Sequence, residues 1–222
     1  MQSARLLAGI IGFSLLIPLN SSTTCWGDWP QFRGRAGDGH ATDGPLPVRW
    51  SETENVRWKT PIPGLGWSSP VVHGGHIFLT TAVLQAGDDE LQDLQLVCLD
   101  LAGGGVSFTT TLFEQRGPVQ MHKKNSHASP TPLVSDGRVY VHFGPHGTAC
   151  TTLDGKPIWK QTLSYKPVHG SGGSPVLIGD TLVVSCDGGD EQYVVGLDCA
   201  NGEVRWKTKR DTSPQKGFSF AT

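Results

Sequence analysis

The residues best suited to chemistry gather in three short stretches of the chain. Arg116 to Ser129 carries His122, Lys123, Lys124, Asn125 and His127; Tyr165 to Gly173 carries Lys166 and His169; Asp211 to Phe220 carries Lys216 and Phe218. Pro61 to Ser68 adds Trp67. Imidazoles can ligate a metal or move a proton, and an exposed indole can stack on a sugar or a flat ligand. The spacing narrows these options. No His-x-His or HExxH pattern is present, so no metal site is assigned. The acids close to these stretches, Glu114 and Asp211, form no calcium loop. Trp67, His122, Lys123, Asn125, His127 and His169 are therefore read as candidate contacts to a small molecule, glycan or protein, with Trp67 as the stacking platform. Against that stands a plainer reading, in which the loops only hydrogen-bond to one another. No residue is assigned a catalytic role.

The elements that must position these loops follow from a recurring unit. Tyr193 to Thr208 reads YVVGLDCANGEVRWKT: an apolar strand ending in Leu-Asp, a turn at Asn201-Gly202, and a strand bearing Trp206. Asn-Gly between apolar strands predicts a two-residue hairpin turn, because both residues tolerate positive φ. Shorter copies occur at Leu153 to Trp159 and at Leu99 to Phe108, and Asn55 to Thr60 keeps only the second strand. Trp58, Phe108, Trp159 and Trp206 recur about every fifty residues. Ser69-Pro70, Thr131-Pro132 and Ser174-Pro175 open each unit, and proline is tolerated there because no ladder donor is required. Four strands per unit predict an all-β propeller of four-stranded antiparallel blades: three complete, the rest partial, in an incomplete ring. Trp159 and Trp206 are expected to dock between neighbouring blades. Asp100, Asp154 and Asp198 are expected to cap the turn amides. Val56 to Thr60 is expected to supply an outer strand to the last blade. The chain is read as the N-terminal part of a longer one, whose further blades would complete the ring.

Composition agrees with many short strands. There are 29 glycines and 15 prolines, and charged residues make up only 17%. A net charge of −2 leaves no basic field to hold nucleic acid. Residues 1–27 read as a cleaved leader, with a basic start and an apolar run too short to span a bilayer, so export to the periplasm or outside the cell is expected. No transmembrane span remains after its removal. Thr24-Cys25 lacks the small residues of a lipidation signal, which argues against an anchor at Cys25. Residues 28–54 read as an extended arm laying Trp29, Phe32 and Trp50 on the outside or edge of the fold, and residues 55–222 as the partial propeller. Cys98, Cys150, Cys186 and Cys199 show no pairing pattern and are read as buried thiols. Asp187 to Glu191 reads as a solvated hairpin tip.

The LDxxxGxxxW unit with its SPV opening resembles the pyrroloquinoline-quinone-like (PQQ-like) repeat, and DWPQFRG resembles the start of exported bacterial proteins built on it. The resemblance spans roughly residues 28–222 and implies a propeller of seven or eight blades. It also implies two functional alternatives. One is a non-catalytic binding or scaffold module, as in an outer-membrane assembly lipoprotein. The other is a quinoprotein oxidoreductase acting on alcohols or sugars, which would need PQQ and Ca²⁺ held by Glu, Asn and Asp, often beside vicinal cysteines. No Cys-Cys pair is present here.

Overall fold

A computed structural model describes residues 27–41, 46–117, 121–211 and 217–222. All of the expected leader but Gly27, together with Cys25 and Lys216, lies outside these residues.

Twelve strands form three antiparallel four-stranded sheets, each a meander. The first contains β1 (Val71–His73), β2 (His76–Gln85), β3 (Asp88–Asp100) and β4 (Val106–Arg116). The second contains β5 (Leu133–Ser135), β6 (Arg138–His142), β7 (Thr148–Thr152) and β8 (Pro157–Gln161). The third contains β9 (Val176–Ile178), β10 (Thr181–Asp187), β11 (Gln192–Asp198) and β12 (Val204–Lys209). Period-two alternation divides each strand between two seams. Val139 and Val141 face the first blade, packing with Phe78, Leu94 and Leu112, whereas Tyr140 turns the other way. Tyr140, Cys150 and Trp159 pack there against Leu182, Val184 and Leu197 of the third blade. The second blade is thus buried on both faces. The outer faces of the first and third blades do not meet, so the three blades form an open stack.

One clamp occurs three times, at the two seams and on the open face of the first blade. In each, an aromatic of the preceding segment lies over the glycine of the next blade's β-turn. A Cβ on Gly104 would fall 2.3 Å from Trp58, one on Gly155 2.4 Å from Phe108, and one on Gly202 2.5 Å from Trp159. All three glycines have positive φ (73°, 80° and 77°), so the turn and the close approach both require the residue. The side chain two residues beyond each aromatic donates to that glycine's carbonyl: Thr60 at 2.6 Å, Thr110 at 3.1 Å and Gln161 at 3.3 Å. Both clamped indoles also donate, Trp58 Nε1 to Leu101 O and Trp159 Nε1 to Cys199 O, each at 3.0 Å. On the neighbouring strand the residue opposite the aromatic is small: Cys98 opposite Phe108, Cys150 opposite Trp159, Gly196 opposite Trp206. This accounts for two of the four buried, unpaired cysteines as space-fitting residues. Burial holds the Cys98 and Cys150 thiols up at about 11 and Cys186 at about 12, far from the reactive thiolate.

Residues 55–60 pair with no strand among the described residues and lie against the first blade, where Trp58 and Ile62 cover Ile77, Val97 and Leu99. Other expectations need correction. The turn after β11 is not a two-residue hairpin. Asn201 does not adopt positive φ, and the connection takes five residues closed by Gly202 N–H to Asp198 O at 2.8 Å. Asp198 caps Ala200 and Asn201, and Asp100 caps Gly103, as expected. Asp154 does not: Thr152 Oγ1 accepts the Lys156 amide, and Asp154 pairs with Lys156 Nζ and the Thr152 hydroxyl. Trp206 is 41% exposed, since no blade covers it.

The arm runs along the edge strands β1 and β5. Trp29 exchanges both backbone hydrogen bonds with Val72, and Pro30 O accepts the Val134 amide at 2.7 Å. Trp50 is 71% exposed and packs on nothing.

Candidate functional site: the loop face

Because every blade is an up-and-down meander, the connections into the first strands and the β2–β3, β6–β7 and β10–β11 turns share one face. His122, Lys124, Asn125, His169, Gly172 and Phe220 line a cleft of about 320 Å³ on it. His122 N–H donates to His169 O at 3.2 Å, and the two rings meet edge to face at 5.7 Å. Phe218 abuts His169 edge-on at 5.2 Å, and Phe220 lies nearly parallel to it at 6.4 Å. The Lys124 amide donates to His122 Nδ1 at 3.2 Å, which leaves the proton of the neutral ring on Nε2.

Asn125 is consumed in holding the loops together. Its Nδ2 donates to His169 O at 2.7 Å and Ser171 O at 3.4 Å, while its Oδ1 accepts from the Ser126 amide and the Ser129 hydroxyl. A Cβ on Gly170 would fall 2.7 Å from that Nδ2, and φ of +87° reserves the position for glycine.

The cleft brings together His122, Asn125 and His169 of the expected set. Lys123 is exposed and does not line it. Trp67 is 64% exposed and lies elsewhere on the face, its amide donating to Ala128 O, so the stacking surface falls to His169 and Phe220. His127 sits below the cleft, buried, its ring edge-to-face with His146 at 4.8 Å.

Beneath the loops lies a polar layer that the sequence reading did not single out. His142 Nδ1 pairs with Thr148 Oγ1 at 2.8 Å, and its Nε2 lies 3.4 Å from the Tyr165 hydroxyl. Tyr165 in turn shares a 3.0 Å bond with Ser171 Oγ. Burial, reinforced by neighbouring imidazoles, pushes His142 down to about 3 and His146 to about 4; burial alone lowers His127. No sequence signal marks His142: every residue of RVYVH after Arg138 is buried, but only because blades pack on both faces of the strand.

The expected hairpin tip at Asp187 is built into the face instead. Asp187 is buried, with Oδ2 taken by Arg210 and Ser219 and, among the described residues, no partner for Oδ1. Asp190 accepts the Lys166 and Glu191 amides at 2.8 Å each. Calcium needs several free oxygen ligands, and here Asp187 Oδ2, Asp190 Oδ1 and Asn125 Oδ1 are taken by Arg210, side-chain hydroxyls and backbone amides, which leaves Asp187 Oδ1 as a lone unpartnered oxygen. Among the described residues no cluster of three or more His, Cys, Asp or Glu is arranged to hold a metal. These donors do not fit a Ca²⁺-quinone site.

No curated protein matches the sequence. Among solved structures, quinohemoprotein alcohol dehydrogenase ADHIIG from Pseudomonas putida HK5 superimposes with a TM-score of 0.50 at 16% identity, covering 68% of this chain and 22% of that one. A europium-containing methanol dehydrogenase gives 0.47 at 17% identity, over 66% and 25%. BamB from Moraxella catarrhalis gives 0.38 at 16%, over 60% and 37%. The chain therefore spans a quarter or less of the dehydrogenases' length, and the first likeness speaks to fold alone. The sequence profile described as outer membrane protein assembly factor BamB matches residues 50–220. That span takes in the three blades and their clamps, and the chain belongs to this PQQ-like repeat family.

Proposed function

We propose that the chain is part of an exported, non-catalytic propeller that serves as a binding or scaffold module, with the cleft of His122, Lys124, Asn125, His169 and Phe220 as the contact point for a protein, glycan or small-molecule ligand. One observation carries the reading: Asn125, the Asp187 carboxylate and His142 are spent on holding the loop face together. Asn125 stitches two loops, Asp187 holds Arg210 and Ser219, and His142 is locked between Thr148 and Tyr165. What remains free is an aromatic surface with a basic rim, suited to recognition.

The competing reading is the quinoprotein oxidoreductase, and the two separate in one experiment. The full native chain would be titrated with PQQ and Ca²⁺ and then offered an alcohol or a sugar with an artificial electron acceptor. The expected result is no saturable quinone binding and no acceptor reduction above the protein-free rate. Turnover that needs both PQQ and Ca²⁺ would overturn the proposal.

A further inference from the structure

Three histidines, His127 and His142 buried and His146 half-buried, have no part in the cleft itself, yet they join the loops that build it. His127 belongs to the connection that also carries His122 and Asn125. His142 precedes the β6–β7 turn, a single 3-10 turn at Gly144–His146, and His146 ends it. Tyr165 and Ser171 belong to the connection that carries His169. The contacts run from His127 to His146 (4.8 Å between ring centres) and from Thr148 through His142 to Tyr165 and Ser171. Ser171 also packs directly over Gly144, closing the circle between the turn and the second loop.

We propose that His127, His142 and His146 form a proton-operated latch, which keeps the loop face assembled at neutral pH and releases it in acid. The proposal takes the cleft as the binding surface argued above and adds how it is regulated.

The surroundings decide the direction. A charged imidazole in this layer would need a counter-ion, and among the described residues none is hydrogen-bonded or ion-paired to it. The Asp187 carboxylate acts on Tyr165 and pairs with Arg210. From the first blade the Phe113 ring lies over Gly147, and Thr80 donates to Ala128 O beside His127. Lys160, from β8, lies over the Phe113 ring at 5.2 Å, with its ammonium bound to Leu112 O. Ser126, Thr148 and Ser171 are neutral, and the Cys186 thiol and Tyr165 hydroxyl stay protonated. Protonation therefore places positive charge among apolar groups and other imidazoles.

Each histidine is held below its ordinary value of 6.5. Above that value the closed and open forms bind no proton at these sites, and latch stability does not change with pH. Below it the open form takes up protons while the closed form does not, so closure weakens until the folded pKa is reached. Opening then increases by up to about tenfold per pH unit for each histidine.

Hydrogen exchange on the full native chain without ligand, from pH 7.5 to 4.5, tests this directly. After correction for intrinsic exchange, opening of 121–129 and 165–173 should be flat above about pH 6.5. Below it, the logarithm of opening should rise with a slope between one and three per pH unit. Strands β10 and β11 should stay protected at pH values where the loops open. His146→Asn should lower the slope by about one, and the His127→Asn/His142→Gln/His146→Asn variant should abolish it, with His122 and His169 intact in both. A wild-type slope of zero would overturn the latch. So would a variant that keeps the wild-type slope, or strands that open in step with the loops. Because no ligand enters the measurement, failure of the binding-module reading leaves this outcome readable.

Discussion

A Gly155→Val variant will lose most or all of the fold's stability, whereas Gly137→Ala will lose about 1 kcal/mol. Both glycines have positive φ, +80° and +72°. Any L-residue is strained at both positions, the β-branched valine more than alanine, and the surroundings separate them further. A Cβ at Gly137 meets nothing within 4 Å, while one at Gly155 lies 2.4 Å from the Phe108 ring and 2.7 Å from Thr110 Oγ1. Relief at Gly155 would require Phe108 to leave its place between the first two blades, and with it the bond from Thr110 to Gly155 O. Valine adds two methyl groups to a seam with no room for one carbon. Displacing a partly buried aromatic and straining the turn should cost more than about 4 kcal/mol, a large share of the 5–15 kcal/mol that holds a typical domain together. Urea unfolding monitored by tryptophan fluorescence would give both numbers. Equal losses in the two variants would show that the clamp does not carry the seam.

The clamp also marks how far the sequence could be read. The spacing of Trp58, Phe108, Trp159 and Trp206 was enough to give the blade count and the order of strands, because it is imposed by a local unit that repeats. The turn geometry was less legible. Asn201-Gly202 carries a strong two-residue signal, but Asp198 caps two amides of the turn and pulls it into a five-residue form. Position 154 misled in the same way, since Thr152 supplies a nearer oxygen to the Lys156 amide. For the loop face, the sequence could show that His122, Asn125 and His169 reach one side of the stack. It could not show which of them faces outward. That depends on non-local bonds, such as those from Asn125 to His169 O and Ser171 O across 44 and 46 residues. His127, two residues beyond Asn125, is turned inward by the same bonding. His142 and Tyr165 were missed because, in isolation, a histidine on a strand and a tyrosine in a loop have no pattern; only the packing of two loops over the β6–β7 turn brings them together.

Trp159→Ala and Trp206→Ala should differ sharply, although the two residues occupy the same position in their blades. Trp159 is 8% exposed, covers Gly202 and donates to Cys199 O, so its removal leaves a cavity between two blades and takes one of that carbonyl's two donors, Arg138 remaining as the other. The expected loss is about 3–5 kcal/mol. Trp206 lies over its own blade at Gly196 and is 41% exposed; with no neighbour over it, truncation should cost about 1 kcal/mol. Thr208, placed two residues on like Thr60, Thr110 and Gln161, is likewise exposed with no turn to bind. The exposed face is therefore a fourth clamp of the same pattern, and the pattern states what would fill it: a turn whose positive-φ glycine offers its carbonyl to Thr208 and a second carbonyl to the indole. Paired thermal denaturation of this chain and of any longer form or assembly carrying a further blade would show it. In the latter, the cost of Trp206→Ala should rise to that of Trp159→Ala. If it stayed near 1 kcal/mol while the added blade was folded, the clamp would not be what joins one blade to the next, and blade contact would have to rest on the aliphatic seam alone.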